Sequence, residues 1–110
     1  METITVYKEA NAKEKFELDI EDVNNCYLKG YDDYNNIPNY LGIWTDKLGI
    51  KAIKMRNERM LWIDVFSDES VYTRADIENF MKNNNNVQII SKESFRKEVD
   101  RIIDILKEVE

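Results

Sequence analysis

The chain has 110 residues and a formal net charge of -6, with 43% hydrophobic and 35% charged residues. This length and composition predict one folded domain over 1–110 and disfavour intrinsic disorder. The sequence contains no His and one Cys, which excludes His-dependent nucleophilic catalysis, an internal disulfide and a thiolate zinc cluster.

The N-terminal part is predicted to form two strands. Residues 3–7 are rich in β-forming residues that alternate in polarity, so Ile4 and Val6 should face inward. Residues 16–20 alternate in the same way, with the apolar side chains on one face and the acidic ones on the other. Asp19 leaves an alternative open, because it can cap a short helix over 20–29 that ends at Gly30.

The middle of the chain is predicted to contain a loop and a helix. The Tyr-, Asp- and Asn-rich residues 31–36 indicate the loop, and Pro38 suits the first turn of a helix. Apolar residues then recur at helical spacing, at Leu41, Trp44 and Leu48, and Gly49 would end the helix. Gly42 weakens this prediction, because Gly in a helix costs about 1 kcal/mol relative to Ala.

Residues 50–56 and 60–66 predict a β-hairpin. A three-residue loop over 57–59 would place Lys54 opposite Trp62 and Ile53 opposite Ile63. We favour this register over a two-residue turn because it keeps charged and apolar side chains on separate faces.

The C-terminal part predicts two helices and a short strand. Thr73 and Asp76 suggest a capping box at the start of the first helix, which the Asn run at 83–86 would end. Residues 87–90 predict the strand, and Ser91 caps a strongly amphipathic last helix. The expected fold class is α+β: a small mixed, mainly antiparallel sheet with helices packed on one face.

An acidic, Tyr-rich segment is the leading candidate for a binding surface. Residues 1–36 carry nine acidic and four basic residues, whereas residues 37–66 carry three and five. Carboxylates that alternate along a strand can imitate the spaced charges of a nucleic-acid backbone, and Tyr gives large, stiff contact area. The candidate partner-binding residues are Glu17, Asp19, Glu21, Tyr31, Asp32, Asp33, Tyr34 and Tyr40.

The hairpin offers an alternative site. Lys54, Arg56 and Trp62 share one predicted face, and a cation beside an aromatic ring can hold a base of single-stranded nucleic acid. The net negative charge disfavours direct nucleic-acid binding. We expect no cofactor and no metal site, and we expect Cys26 to be a semi-buried, unreactive thiol.

These features favour a non-catalytic interaction protein over an enzyme. The expected partner is basic, such as a nuclease or a nucleic-acid-guided effector, and the expected location is cytoplasmic with no membrane span. Phages and mobile elements encode small acidic inhibitors of nucleases and of nucleic-acid-guided defence enzymes (anti-CRISPR-like proteins), and these are similar in style, as are immunity proteins against basic toxins, although no family motif is matched. The runner-up is a small RNA-binding module, and Ile105 leaves a homodimer contact open.

Overall fold

The computed structural model describes residues 2–7, 15–32, 36–47, 49–56, 60–66 and 70–108. Seven strands and two helices lie within these ranges. In chain order they are β1 (Glu2–Tyr7), β2 (Lys15–Ile20), β3 (Cys26–Asp32), β4 (Pro38–Asp46), β5 (Gly49–Arg56), β6 (Met60–Phe66), α1 (Ser70–Asn83), β7 (Asn84–Ile89) and α2 (Lys92–Lys107).

The strands form two antiparallel sheets. Strands β1 and β2 pair with each other, and the other five are ordered β6-β5-β4-β3-β7. Successive antiparallel pairing joins β3 to β6, and α1 then returns the chain to the opposite edge, where β7 pairs with β3. The predicted α+β class with mainly antiparallel pairing is confirmed.

Both faces of the five-stranded sheet are covered at its central strands. One core joins α1 and the two-stranded sheet to β3, β4 and β5, and it includes Ile4, Ile20, Leu28, Leu41 and Ile77. The other core joins α2 to β4 and β5 through Tyr40, Met55, Phe95 and Ile102. The helices therefore lie on opposite faces of the sheet rather than on one, because β4 and β5 carry apolar side chains on both faces and each face needs a cover.

The predictions for β1, β2 and the hairpin are confirmed. Ile4 and Val6 are buried, and strand β2 alternates between exposed and more buried positions. In the hairpin, Ile53 pairs with Ile63 and Lys54 with Trp62, as the three-residue loop predicts. The loop residues 57–59 lie outside the described part of the chain.

The helix predicted from Pro38 to Leu48 is wrong, because residues 38–46 form β4. Leu41 is buried in the core beneath α1, whereas Trp44 lines a cleft beside α2. Their helix-like spacing therefore distributes them over two faces of a strand, and Leu48 lies outside the described residues. The alternative helix over 20–29 is also wrong, since β3 begins at Cys26.

Helix α1 begins at Ser70, so Thr73 does not cap it. The Thr73 side chain is buried, and its hydroxyl donates to Asn24 Oδ1 at 3.2 Å. Asp76 instead lies 2.8 Å from Lys54 Nζ on β5. Both polar side chains therefore connect α1 to other elements, which is why their local capping pattern is misleading.

The cap of α2 is confirmed. The backbone N–H of Ser94 donates to Ser91 Oγ at 3.1 Å, and the helix extends from Lys92 to Lys107. The strand predicted at 87–90 is longer and earlier than expected, because β7 already begins at Asn84. Asn86 within it has a φ of 52°, a left-handed backbone conformation that Asn tolerates better than most residues.

Candidate interaction surface

The two-stranded sheet exposes one polar face. Its inner side chains pack into the core that contains α1, β3 and β4, so Thr3, Thr5, Glu17 and Asp19 point outward to solvent. Thr3 pairs with Asp19 across the strands, and its hydroxyl donates to Asp19 Oδ1 at 2.6 Å. This hydrogen bond fixes the position of one exposed carboxylate.

Glu17 lies two residues before Asp19 on the same face of β2. Lys15 Nζ lies 3.1 Å from Glu17 Oε1, and this hydrogen bond raises the pKa of Lys15. Both side chains are more than half exposed, so the pair is weak and an incoming cation can compete for the carboxylate.

The turn after β2 adds two more exposed carboxylates, those of Glu21 and Asp22. Asp22 accepts hydrogen bonds from Asn25 Nδ2 at 2.9 Å and from the backbone N–H of Asn24 at 2.8 Å. These bonds lower the pKa of Asp22, and the bond from the Asn25 side chain has the largest effect. The turn therefore holds an ionised carboxylate in a defined place.

Acidic excess among the described elements is concentrated in this region. Residues 15–22 contain four carboxylates and one Lys, whereas residues 92–108 contain five acidic and five basic residues and residues 70–83 contain two of each. We call the exposed carboxylates of Glu17, Asp19, Glu21 and Asp22 the acidic face.

The predicted tyrosines lie elsewhere. Lys29 Nζ lies 5.4 Å from the ring centroid of Tyr31 and 5.8 Å from that of Tyr40, and Tyr40 is buried in the core beneath α2. Burial is the main cause of the raised pKa of Tyr40. These rings lie on the face of the five-stranded sheet that is opposite the two-stranded sheet, so they do not join the acidic face.

The remaining predicted partner-binding residues are near the end of β3. Asp32 is half-buried and pairs in register with Asn84 of β7. Asp33 and Tyr34 lie outside the described residues. The single acidic and Tyr-rich surface expected from the sequence is therefore divided between two regions of the fold.

The alternative site on the hairpin is altered by α1. Lys54 forms an ion pair with Asp76 at 2.8 Å, and the Asp76 side chain is only 14% exposed. Backbone register places Lys54 opposite Trp62 and Arg56 opposite Met60. The side chains of Arg56 and Trp62 lie outside the described part of the chain. Of the three residues of this alternative site, Lys54 is therefore the one shown to be less available to a ligand, because it is paired with Asp76.

A cleft that the sequence did not predict lies between α2 and the five-stranded sheet. Its volume is about 320 Å³. Its lining combines apolar side chains with two cations and one carboxylate: Tyr27, Trp44, Ile53, Phe95, Val99, Lys92, Arg96 and Asp100. The sequence analysis missed it because the cleft depends on Trp44 lying on strand β4 and not on the predicted helix.

Cys26 is buried, and burial raises the pKa of its thiol to about 11. Only the thiolate is a strong nucleophile, so this environment opposes a catalytic role. Among the described residues, no group of three carboxylate or thiol side chains is placed to hold a metal ion.

Comparison of the chain with protein-family models, with curated proteins and with solved structures finds no match. Within the described ranges, neither helix combines the length and the apolar composition needed to cross a membrane.

Proposed function

We propose that this chain is a non-catalytic interaction protein whose acidic face occupies a basic site on a partner protein. The observation that carries the proposal is the group of four exposed carboxylates along β2 and the turn after it, with one exposed Lys beside them. The matching partner surface is one that otherwise binds nucleic acid, as in a nuclease or a nucleic-acid-guided enzyme.

The spacing of the carboxylates supports this choice. Glu17 and Asp19 are two residues apart on one strand face, a separation of about 6.6–7 Å. The hydrogen bonds to Asp19 and Asp22 hold their charges in place before binding, and such preorganisation lowers the entropy cost of association. A site that binds a phosphate chain attracts a row of exposed negative charges. Inhibition by occupation of that site, as in anti-defence or immunity proteins, is the proposed outcome.

The test compares two variants with the same change in charge. The first replaces acidic-face residues as Glu17→Gln, Asp19→Asn and Glu21→Gln. The control replaces three exposed acids of α2 or its end, as Glu93→Gln, Asp104→Asn and Glu108→Gln. Each protein is immobilised and incubated with an extract of the cells that encode it, and the recovered proteins are identified and assayed for nucleic-acid binding.

We expect the wild type and the α2 control to recover the same basic protein and to block its binding to nucleic acid. The acidic-face variant should lose both effects while it keeps a native circular dichroism spectrum. Equal recovery by both variants would contradict the proposal. Recovery of nucleic acid alone would instead favour the RNA-binding alternative.

A further inference from the structure

The cleft between α2 and the five-stranded sheet is a second candidate binding site, separate from the acidic face. It lies on the opposite face of the five-stranded sheet from the two-stranded sheet, so a ligand there is independent of the proposed partner. Its volume of about 320 Å³ is near the lower end of the range typical of small-molecule sites, about 300–1,000 Å³.

Aromatic and aliphatic side chains form the walls of the cleft. Tyr27 and Ile53 both lie in register with Gly42, on the two neighbouring strands. The ring of Phe95 packs over Gly42, and its centroid is 5.2 Å from that of Tyr27. Trp44 lies two residues after Gly42 on the same face of β4, and its side chain is half-buried. Such walls favour a flat aromatic ligand.

The charges at the rim define the polarity of the ligand. Lys92, Arg96 and Asp100 follow one another at intervals of one helical turn, about 6 Å along α2. Within the described ranges, Lys92 and Arg96 have no ion-pair partner. Lys92 is the first residue of α2, where the helix dipole also favours an anion. Asp100 at the other end of the row disfavours a second negative group there and accepts hydrogen bonds.

We propose that this cleft binds a small aromatic anion, with its ring between Trp44 and Tyr27 and its carboxylate or phosphate at Lys92 and Arg96. Charge complementarity fixes the direction of the ligand, because a donor group at its far end would face Asp100. A nucleoside monophosphate and an aromatic carboxylate share this chemistry.

Two probes distinguish these sources: adenosine 5′-monophosphate and indole-3-acetate. Two compounds serve as controls: adenosine lacks the anionic group, and inorganic phosphate lacks the aromatic ring. Binding is followed on the full ¹⁵N-labelled chain by the indole N–H signal of Trp44 and the backbone amides of 92–100. The variant Arg96→Gln is compared with Lys97→Gln, an equal change of charge at an exposed neighbour that does not line the cleft.

We expect at least one of the two anionic probes to shift these signals with saturation and both control compounds to bind much more weakly. Arg96→Gln should raise the Kd about tenfold or more, since it removes a charge-assisted hydrogen bond, and Lys97→Gln should leave it within about twofold. Three outcomes would overturn the proposal: no binding of either probe at millimolar concentration, equal effects of the two variants, or saturable shifts confined to residues outside the cleft. Each leaves the partner-capture result unaffected.

Discussion

The ring of Phe95 on α2 lies directly against the backbone of Gly42 at the centre of β4. A Cβ atom at Gly42 would be 2.4 Å from both Cε1 and Cζ of that ring. Non-bonded carbon atoms do not approach so closely, so the absence of a side chain at Gly42 allows α2 to pack on the sheet. The contact also explains why Gly occurs in the middle of a strand, where it is otherwise unfavourable.

Gly42→Ala should therefore destabilise the protein through overpacking, by about 1–3 kcal/mol. Urea denaturation at equilibrium measures the change in the free energy of unfolding. The double variant Gly42→Ala with Phe95→Leu should be less destabilised than the sum of the two single changes, because the smaller side chain leaves room for the methyl group. Strictly additive changes would show that the two residues are not in contact.

A second coupling joins strand β4 to the start of β7. Asn39 Nδ2 donates to Asn84 Oδ1 at 2.6 Å between buried side chains, and Asn84 Nδ2 donates to the backbone oxygen of Phe80 at 2.9 Å. Asn84→Ala removes both bonds, and the loss should cost about 1–3 kcal/mol because buried polar groups lose their partners. Asn83→Ala, at an exposed position one residue earlier, should change stability by less than about 0.5 kcal/mol. Thermal unfolding of both variants makes the comparison, and equal effects would contradict it.

Strand β2 and helix α2, which the sequence predicted correctly, each have one buried face. Strand β2 alternates in polarity, and α2 repeats apolar residues at 3 and 4, so each pattern identifies its own structure. Strands β3 and β4 are different because both of their faces are covered. Leu41 and Ile43 pack beneath α1, while Tyr40 packs beneath α2, and a strand with two covered faces lacks the alternation that distinguishes it from a helix.

The same limit applies to the candidate sites. Exposure of Glu17 and Asp19 follows from the alternation of β2 and could be predicted locally. The separation of Tyr31 and Tyr40 from the acidic face depends on which sheet face each strand presents, and the pairing of Lys54 with Asp76 depends on how α1 packs on the sheet. The cleft required the correct assignment of Trp44 to a strand, so the sequence alone did not reveal it.

The turn at Asp22 should make a pH-dependent contribution to stability. Hydrogen bonds lower the pKa of Asp22 in the folded state. The stabilisation by this carboxylate is therefore fully present above the pKa that Asp22 has in the unfolded chain. That contribution is lost as pH falls through the lower folded value. Asp22→Ala should reduce the free energy of unfolding at pH 7, and the difference from wild type should shrink as pH falls below about 3.9, the ordinary Asp pKa.

Asp22→Asn is the matched control for that experiment. Its side-chain oxygen can still accept from the backbone N–H of Asn24, but it cannot titrate. We expect a smaller loss of stability than with Asp22→Ala, and the stability of Asp22→Asn relative to Asp22→Ala should vary little between pH 2 and pH 7. Direct titration of the Asp22 carboxyl by NMR should give a pKa below the ordinary value, and an ordinary or raised value would contradict the assignment of the turn.

Cys26 should react slowly while the protein is folded. Its thiol is buried and has a pKa of about 11, so both access and the thiolate fraction are low at pH 8. Alkylation by iodoacetamide, followed by mass spectrometry, should be at least about tenfold slower in buffer than in denaturing urea. Equal rates in the two conditions would show that the thiol is exposed in the native state.

The proposed partner interaction should depend on salt through the acidic face. Long-range attraction between exposed charges is screened beyond a Debye length of about 10 Å at 0.1 M salt, so association with the captured basic partner should slow as salt is raised. Glu17→Gln with Asp19→Asn and Glu21→Gln should slow association about tenfold or more at low salt and flatten its salt dependence.

Lys54→Gln, which removes a charge already paired with Asp76, should change the association rate much less. Stopped-flow measurements over a range of sodium chloride concentrations provide the comparison. If Lys54 and Trp62 variants abolish binding while the three acidic-face changes have no effect, the acidic face is not the interaction surface and the hairpin is the better candidate.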